Sequence, residues 1–347
     1  MGVGPVASVD LGLLRFSRRP EWRSAEGGRV EFHLGGESGW QSVPGWGAPL
    51  FERLCDGARF GELVDALAAA GVPHPERTVR FALYEMHQLG YLELPADDPP
   101  AVYAQRWERL EELGRGGVAI VDLCRDRVTG RLVGVKRSWD LVQPRETTEA
   151  AIRREADTLA RLDHPGIVRL VATFERDGRL HVVRDFVEGR DLFRLRDVGI
   201  PDDAALRALA VGLVDLVAHI HGRGFLVLDL RPANFLRRDD GVPVLLDVGT
   251  CREAGGKPLT LARAVGSPGF TSPEMRRDRT VDVASDVFGF GRLLGFLADG
   301  RPPRDEDAPG TSRARQPWRG IVEACTAEEP AKRPQDMAEV RRLLEQG

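Results

Sequence analysis

The chain has 347 residues, 42% of them hydrophobic, and a formal charge of −4. That length allows more than one core, the near-balanced charge lacks the basic footprint of a nucleic-acid binder, and the absence of an eighteen-residue apolar run argues against a membrane span. The segment 1–16 has no basic stretch ahead of an apolar one, and Cys55, Cys124, Cys251 and Cys325 are too scattered for a metal set or a disulfide framework, so no secretion signal and a reduced, cytoplasmic setting are expected.

In chain order, short strands are expected around Leu11–Phe16, Arg29–Leu34 and Gly39–Val43. Helical stripes follow, one carrying Leu63, Leu67 and Ala70 and the next Val79, Leu83, Met86 and Leu89, with Gly90 as the stop and Tyr91–Leu94 extended. Residues 1–100 hold 9 Arg against 14 Asp and Glu, so this region is acidic. Paired prolines and acids in Pro95–Pro100 neither continue a helix nor fill a core, which divides the chain into a domain 1–95, a linker 96–107 and a domain 108–347. Beyond the linker, strand-like blocks reach about residue 190. Longer helical patterns follow, interrupted by the Pro- and charge-rich stretch Asp299–Pro317, which reads as an exposed loop.

Several residues of the second domain suit phosphate chemistry. Leu113–Val121 places Gly114, Gly116 and Gly117 between two apolar strands, where glycine lets backbone N–H groups approach phosphate oxygens, although such a turn is more often only a turn. Lys136 sits in an apolar block, and only Lys257 and Lys332 share its residue type, so a compact ammonium is retained there in a chain that otherwise uses Arg. A helix over Glu149–Leu162 carries Glu155 between apolar positions; alone it reads as a solvated glutamate, and beside Lys136 as its partner. Asp229, Asn234 and Asp247 border apolar runs, and two acids with an amide in step suit magnesium, which wants oxygen ligands.

The order and spacing of these residues resemble the protein-kinase superfamily, in its bacterial Ser/Thr form, over about 108–345. The resemblance implies an α+β, two-lobed fold (108–186 and 187–347) that binds ATP with Mg²⁺. It implies that Gly114, Gly116, Val121, Lys136, Glu155, Arg184, Asp185 and Leu236 contact or support the nucleotide, and that Asn234 and Asp247 hold the metal. Asp229 would accept the hydroxyl proton, with Lys136, Arg231 and Asn234 completing the catalytic set. Asp286 would brace the catalytic loop, Arg333 would pair with Glu274 of Ser272-Pro273-Glu274, and His164–Val168 also fits the pattern.

The departures are specific. Val227-Leu228-Asp229 replaces the usual His-Arg-Asp, which removes the cation that receives an activation-loop phosphate. Val248 replaces the Phe of Asp-Phe-Gly, and with Val227, Leu159 and Leu170 would form an aliphatic column. Ala119 replaces the third glycine and Arg231 a lysine. Arg184 stands where the family places an apolar or small residue behind the adenine, and a buried guanidinium there needs Glu155 or Asp247 as a partner.

In the first domain, Leu50–Val64 with its Cys55-Asp56-Gly57-Ala58-Arg59 turn, and the closing Leu89-Gly90-Tyr91-Leu92, resemble PqqD-like winged-helix domains. That resemblance implies capture of a leader peptide by β-augmentation near Gly39–Val43 and Thr78–Leu89. The alternatives are an accessory that only packs on the kinase, or a DNA binder using Arg77, Arg80 and His87. The expected function is phosphorylation of Ser or Thr in a ribosomally made precursor peptide, against a pseudokinase scaffold or a signalling kinase acting on folded proteins.

Overall fold

The computed structural model describes residues 14–16, 21–25, 29–33, 41–44, 47–88, 92–93, 101–140, 143–194, 201–305 and 307–346. The chain forms two units, residues 1–129 with 136–150, and residues 130–135 with 151–347, so the boundary falls inside one strand and one helix. Leu11–Leu13, Leu34, Gly39, Leu89–Tyr91, Leu94 and the Pro95–Pro100 segment lie outside the described residues.

The first unit opens with β1 (Arg15–Phe16), then β2 (Glu21–Ala25), β3 (Arg29–His33) and β4 (Gln41–Pro44), the last three forming an antiparallel sheet in that order. The sequence reading had no strand at Glu21–Ala25. Three helices follow, α1 (Gly47–Asp56), α2 (Phe60–Ala69) and α3 (Pro75–Gln88), and β5 (Leu92–Glu93) returns to pair with β1. Gly57 joins α1 to α2 at φ 83°, a left-handed turn that favours glycine, and the next residue, Ala58, bridges to Leu14. Leu63, Leu67, Val79, Leu83 and Met86 are buried as their spacing predicts. Ala70 is not: it caps the end of α2 and is exposed.

The sheet of the second domain starts earlier than expected. β6 (Val102–Tyr103) lies inside the segment assigned to a linker and pairs with β7 (Trp107–Arg115), which pairs with β8 (Ala119–Asp126). Tyr103 is fully buried there, donating its hydroxyl to Asp122 at 2.7 Å. β9 (Leu132–Ser138) carries Lys136.

The helix expected at Glu149–Leu162 is α4 (Arg145–Leu159), which begins four residues earlier, just after Pro144. It ends sooner because Arg161 and Leu162 donate backward across three residues to Thr158 and Leu159, a tightened last turn rather than continued α-helix. The second unit continues with β10 (Leu170–Arg176) and β11 (Arg179–Asp185), an antiparallel hairpin. After β12 (Arg190–Asp191) comes α5 (Asp203–Gly222), started by the Asp202 side chain accepting from Ala205 N. By length and composition α5 could cross a membrane, yet Leu206, Leu209, Leu213, Val217 and Ile220 are buried where it packs on the later helices.

Short strands β13 (Phe225–Leu226), β14 (Phe235–Arg237) and β15 (Pro243–Leu245) flank the segment that carries Asp229 and Asn234, and β16 (Arg252–Glu253) pairs with β13. Four helices complete the unit: α6 (Pro273–Asp278), α7 (Val283–Asp299), α8 (Trp318–Cys325) and α9 (Met337–Gln346). Among its described residues the stretch between α7 and α8 has no helix, as expected, but it is not simply an exposed loop. Ala314 is fully buried, and Arg315 donates to the carbonyls of Ala298 and Pro201 and to Asp203.

Candidate active site

The first unit presents the glycine-rich turn and the lysine. Gly114 pairs with Val121 and Arg115 with Ile120, so the turn closes an antiparallel hairpin, and Gly116 N donates to Ala119 O at 2.8 Å. A Cβ added at Gly114 would meet nothing within 4 Å, so this backbone is unobstructed by its own unit. Lys136 is 5% exposed, and the strand bearing it is fixed through its neighbour: Arg137 Nε donates to Asp122 at 3.1 Å. Asp122 also accepts from Arg109 at 2.8 Å and from Tyr103, so a fully buried carboxylate collects two guanidinium groups and a phenol. Burial, with Asp122 accepting a hydrogen bond from it, pushes the Tyr103 hydroxyl well above the usual tyrosine range. Sequence reasoning missed this anchor because Tyr103 lay in the supposed linker.

The second unit builds the catalytic segment around Asp286 of α7. Its carboxylate, 1% exposed, accepts from Val227 N and Leu228 N at 2.7 Å each, while His221 Nε2 lies 2.8 Å away. This is the brace that the sequence pattern implied. Leu228, standing in place of the expected arginine, adopts φ 65°. A left-handed bulky residue costs about 1–3 kcal/mol and persists where surrounding bonds over-determine it. Here the two N–H groups on Asp286 do so.

Asp229 follows at 8% exposure. Asn234 Nδ2 donates to Asp229 Oδ2 at 3.0 Å and to its carbonyl at 2.9 Å. Arg231 Nε donates to Asn234 Oδ1 at 3.2 Å and lies 3.5 Å from Asp229 Oδ2, so these three predicted catalytic residues form one cluster. Asp229 Oδ1 is buried with no hydrogen-bond partner among the described residues. Burial pushes the Asp229 carboxyl up from its ordinary value, against the opposing pull of Arg231, Ser267 and Asn234. Ser267 is thus part of this cluster. Its neighbour Gly266 has φ 98°, and a Cβ there would lie 2.9 Å from Leu228 O, which packs the following segment tightly against the catalytic one.

Asp247 enters from the end of β15. That strand is docked by the His164–Val168 motif: Leu245 N donates to Gly166 O at 2.8 Å and Val168 N to Leu245 O at 3.1 Å. Asp247 Oδ1 accepts from Gly249 N at 2.8 Å, closing the turn. Among the described residues no group of three or more His, Cys, Asp or Glu is placed to hold a metal. An Asp with an Asn nonetheless fits Mg²⁺, which keeps several waters and takes one or two protein oxygens beside substrate phosphates.

Arg184 is 8% exposed on β11, with Nη1 donating to Glu155 Oε1 at 3.2 Å and to the carbonyl of Leu246. Of the two partners expected for it, the structure selects Glu155, and adds the residue just before Asp247. Asp185 is engaged elsewhere, its carboxylate accepting from Arg169 at 2.9 Å. Leu236 is half-buried opposite Val244, and Val227 and Val248 are fully buried. Arg184→Met removes charge-assisted bonds worth about 1.5–3 kcal/mol each. It should lower the unfolding free energy by about 3 kcal/mol or more and weaken magnesium-dependent nucleotide binding through the Leu246–Asp247 turn. Unchanged urea unfolding and unchanged Mg·ADP affinity would together deny this guanidinium any role.

The protein kinase domain family matches residues 107–346. Among curated proteins, serine/threonine-protein kinase PkaA of Streptomyces coelicolor is 30% identical over 268 residues, covering 68% of this chain and 49% of the relative. Probable serine/threonine-protein kinase PknB of Bifidobacterium longum is 29% identical over 225 residues (60% and 32%), and rat 3-phosphoinositide-dependent protein kinase 1 is 28% identical over 215 (60% and 38%). The chain therefore spans less than half the length of each of these relatives. With Asp286 bracing the loop, Asp229 and Asn234 clustered on it and Glu274 paired with Arg333 at 2.9 Å, the chain belongs to the protein kinase domain family.

Proposed function

We propose that this protein transfers the terminal phosphate of Mg·ATP to a Ser or Thr hydroxyl of a peptide held by its N-terminal region. The observation that carries the transfer step is the buried, unpartnered Oδ1 of Asp229 beside Arg231 and Asn234. A substrate hydroxyl donating to that oxygen would satisfy it, and a carboxylate raised toward the working pH is a better proton acceptor. Arg231 offers a cation to the oxygens of the transferring group, and Asn234 and Asp247 offer oxygen ligands to the magnesium that bridges the phosphates. Lys136 and the glycine-rich turn serve the phosphates themselves.

Peptide capture by a PqqD-like module rests on the motif at Leu50–Val64 and on an open edge. β4 is the last strand of its sheet among the described residues, and strand addition needs such an edge. DNA recognition through α3 loses support, because Arg80 is 6% exposed and engaged with Glu76 and the carbonyl of Asp140. The test is mass spectrometry of small peptides encoded beside the gene, incubated with the protein, magnesium and ATP. Phosphorylated Ser or Thr in one of them supports the reading. Phosphorylation of folded protein partners, with every such peptide untouched, favours a signalling kinase instead.

A further inference from the structure

The N-terminal helices do more than border the kinase sheet. Their core, built on residues such as Leu50, Leu67, Leu83 and Leu92, is continuous with Ile120 and Trp139. Both of those residues touch the glycine-rich turn. Ile120 is fully buried on β8, directly opposite Arg115. Trp139 follows Lys136 by three residues; its N–H donates to Val118 O at 2.8 Å, and the Arg115 guanidinium lies over its ring at 4.5 Å. A third tie comes from α3, where Arg80 Nη1 donates to the carbonyl of Asp140 at 2.7 Å.

The turn therefore has a backing. Glycine-rich turns that grip phosphate gain reach from lacking side chains and lose order for the same reason, so ligand binding must offset the entropy of fixing them. Here the Val118 carbonyl accepts from the Trp139 backbone N–H and Arg115 lies over the indole of the same residue, which belongs to the helical core. A cation over an indole ring and a hydrogen bond from a charged donor both hold the segments they join in one arrangement.

We infer that the N-terminal helices are a positioning element for the nucleotide, acting through Arg80 and Trp139 to hold the glycine-rich turn against the lysine strand. This rests on the nucleotide binding proposed above. Residues 1–95 are then not a detachable docking domain. Removing them exposes Ile120 and Trp139 and slackens the turn, so loss of activity on deletion would report lost nucleotide positioning as readily as lost peptide capture.

The experiment titrates Mg·ADP into the full chain by calorimetry and follows amide hydrogen exchange over residues 113–121. Arg80→Met should weaken Mg·ADP by about 5-fold or more, the lower range of a typical coupling, and speed exchange in the turn while α7 stays protected. Arg80→Lys, which keeps a cation near the Asp140 carbonyl, should recover part of the loss. Arg115→Met leaves the helical core untouched and should likewise weaken Mg·ADP, which covers the case where Arg80→Met unfolds the module. Wild-type affinity and exchange in both variants would overturn the inference and leave the kinase reading standing. A wild-type chain that binds no Mg·ADP would sink the kinase reading, and this inference with it.

Discussion

Asp229→Asn should abolish phosphate transfer and leave the protein at least as stable as before. The amide cannot take a proton from an attacking hydroxyl, so the loss should be about 10²-fold or more in kcat. Nucleotide affinity should hold, because the metal ligands Asn234 and Asp247 remain. The stability half follows from the sign of the ionisation. Burial raises the folded-state pKa of Asp229 above its unfolded value, so its contribution to stability is fully present below the unfolded pKa and is lost as pH rises through the folded one. At neutral pH the ionised group is a cost that asparagine does not carry, so the melting temperature should stay level or rise, and any gain should shrink in acid. For the wild type, kcat should fall as acid protonates Asp229, beginning at a higher pH than the ordinary aspartate value of about 3.9. Kinetics and thermal unfolding of the pair across pH check both halves, and a variant that lost activity by unfolding would contradict them.

Arg333→Met should be the most destabilising single change in the second unit. Arg333 is 3% exposed and spends its donors on Glu274 and on the carbonyls of Ala327, Ala284 and Glu328, all at 2.7–3.0 Å. Burial would raise the Glu274 carboxyl, but the hydrogen bonds and charge of Arg333, with Ser285, hold it below its ordinary value. Removing the guanidinium strands a buried carboxylate, which costs about 3–5 kcal/mol. Glu274→Leu added to Arg333→Met should restore part of that loss, since two apolar side chains replace an orphaned charge. The depressed carboxyl also contributes stability above its unfolded pKa and loses it as pH falls through the folded one. Urea unfolding of the single and double variants measures this, and equal stability of all three would show that the pair contributes nothing.

The sequence carried the chemistry better than the scaffold, for a physical reason. Asp229 with Asn234, and Glu274 with Arg333, are bonded to one another, and such pairs constrain residue type at both positions, which is what made them readable by type and spacing. Arg184 was legible as an anomaly, and Glu155 as its partner, because a buried guanidinium must find an acceptor. The early start of α4 and the strand at Glu21–Ala25 were not, because Pro144 and Pro20 just before them mark a boundary without specifying which element follows. Arg80 entered the sequence reading only as one cation of a DNA-binding alternative: its side chain is buried and it donates to a carbonyl sixty residues away, which no local periodicity reports. The same holds for Trp139, which shares a core with helices that precede it by about 50 to 90 residues.

The most direct test of the account is transfer of label from γ-labelled ATP, with magnesium, to a Ser- or Thr-containing peptide, run beside Asp229→Asn and an EDTA control. Label on the hydroxyl with the wild type, lost in both controls, is the predicted result. Nucleotide bound by the wild type but no labelled hydroxyl in any peptide or protein offered, or equal labelling by Asp229→Asn, would contradict it.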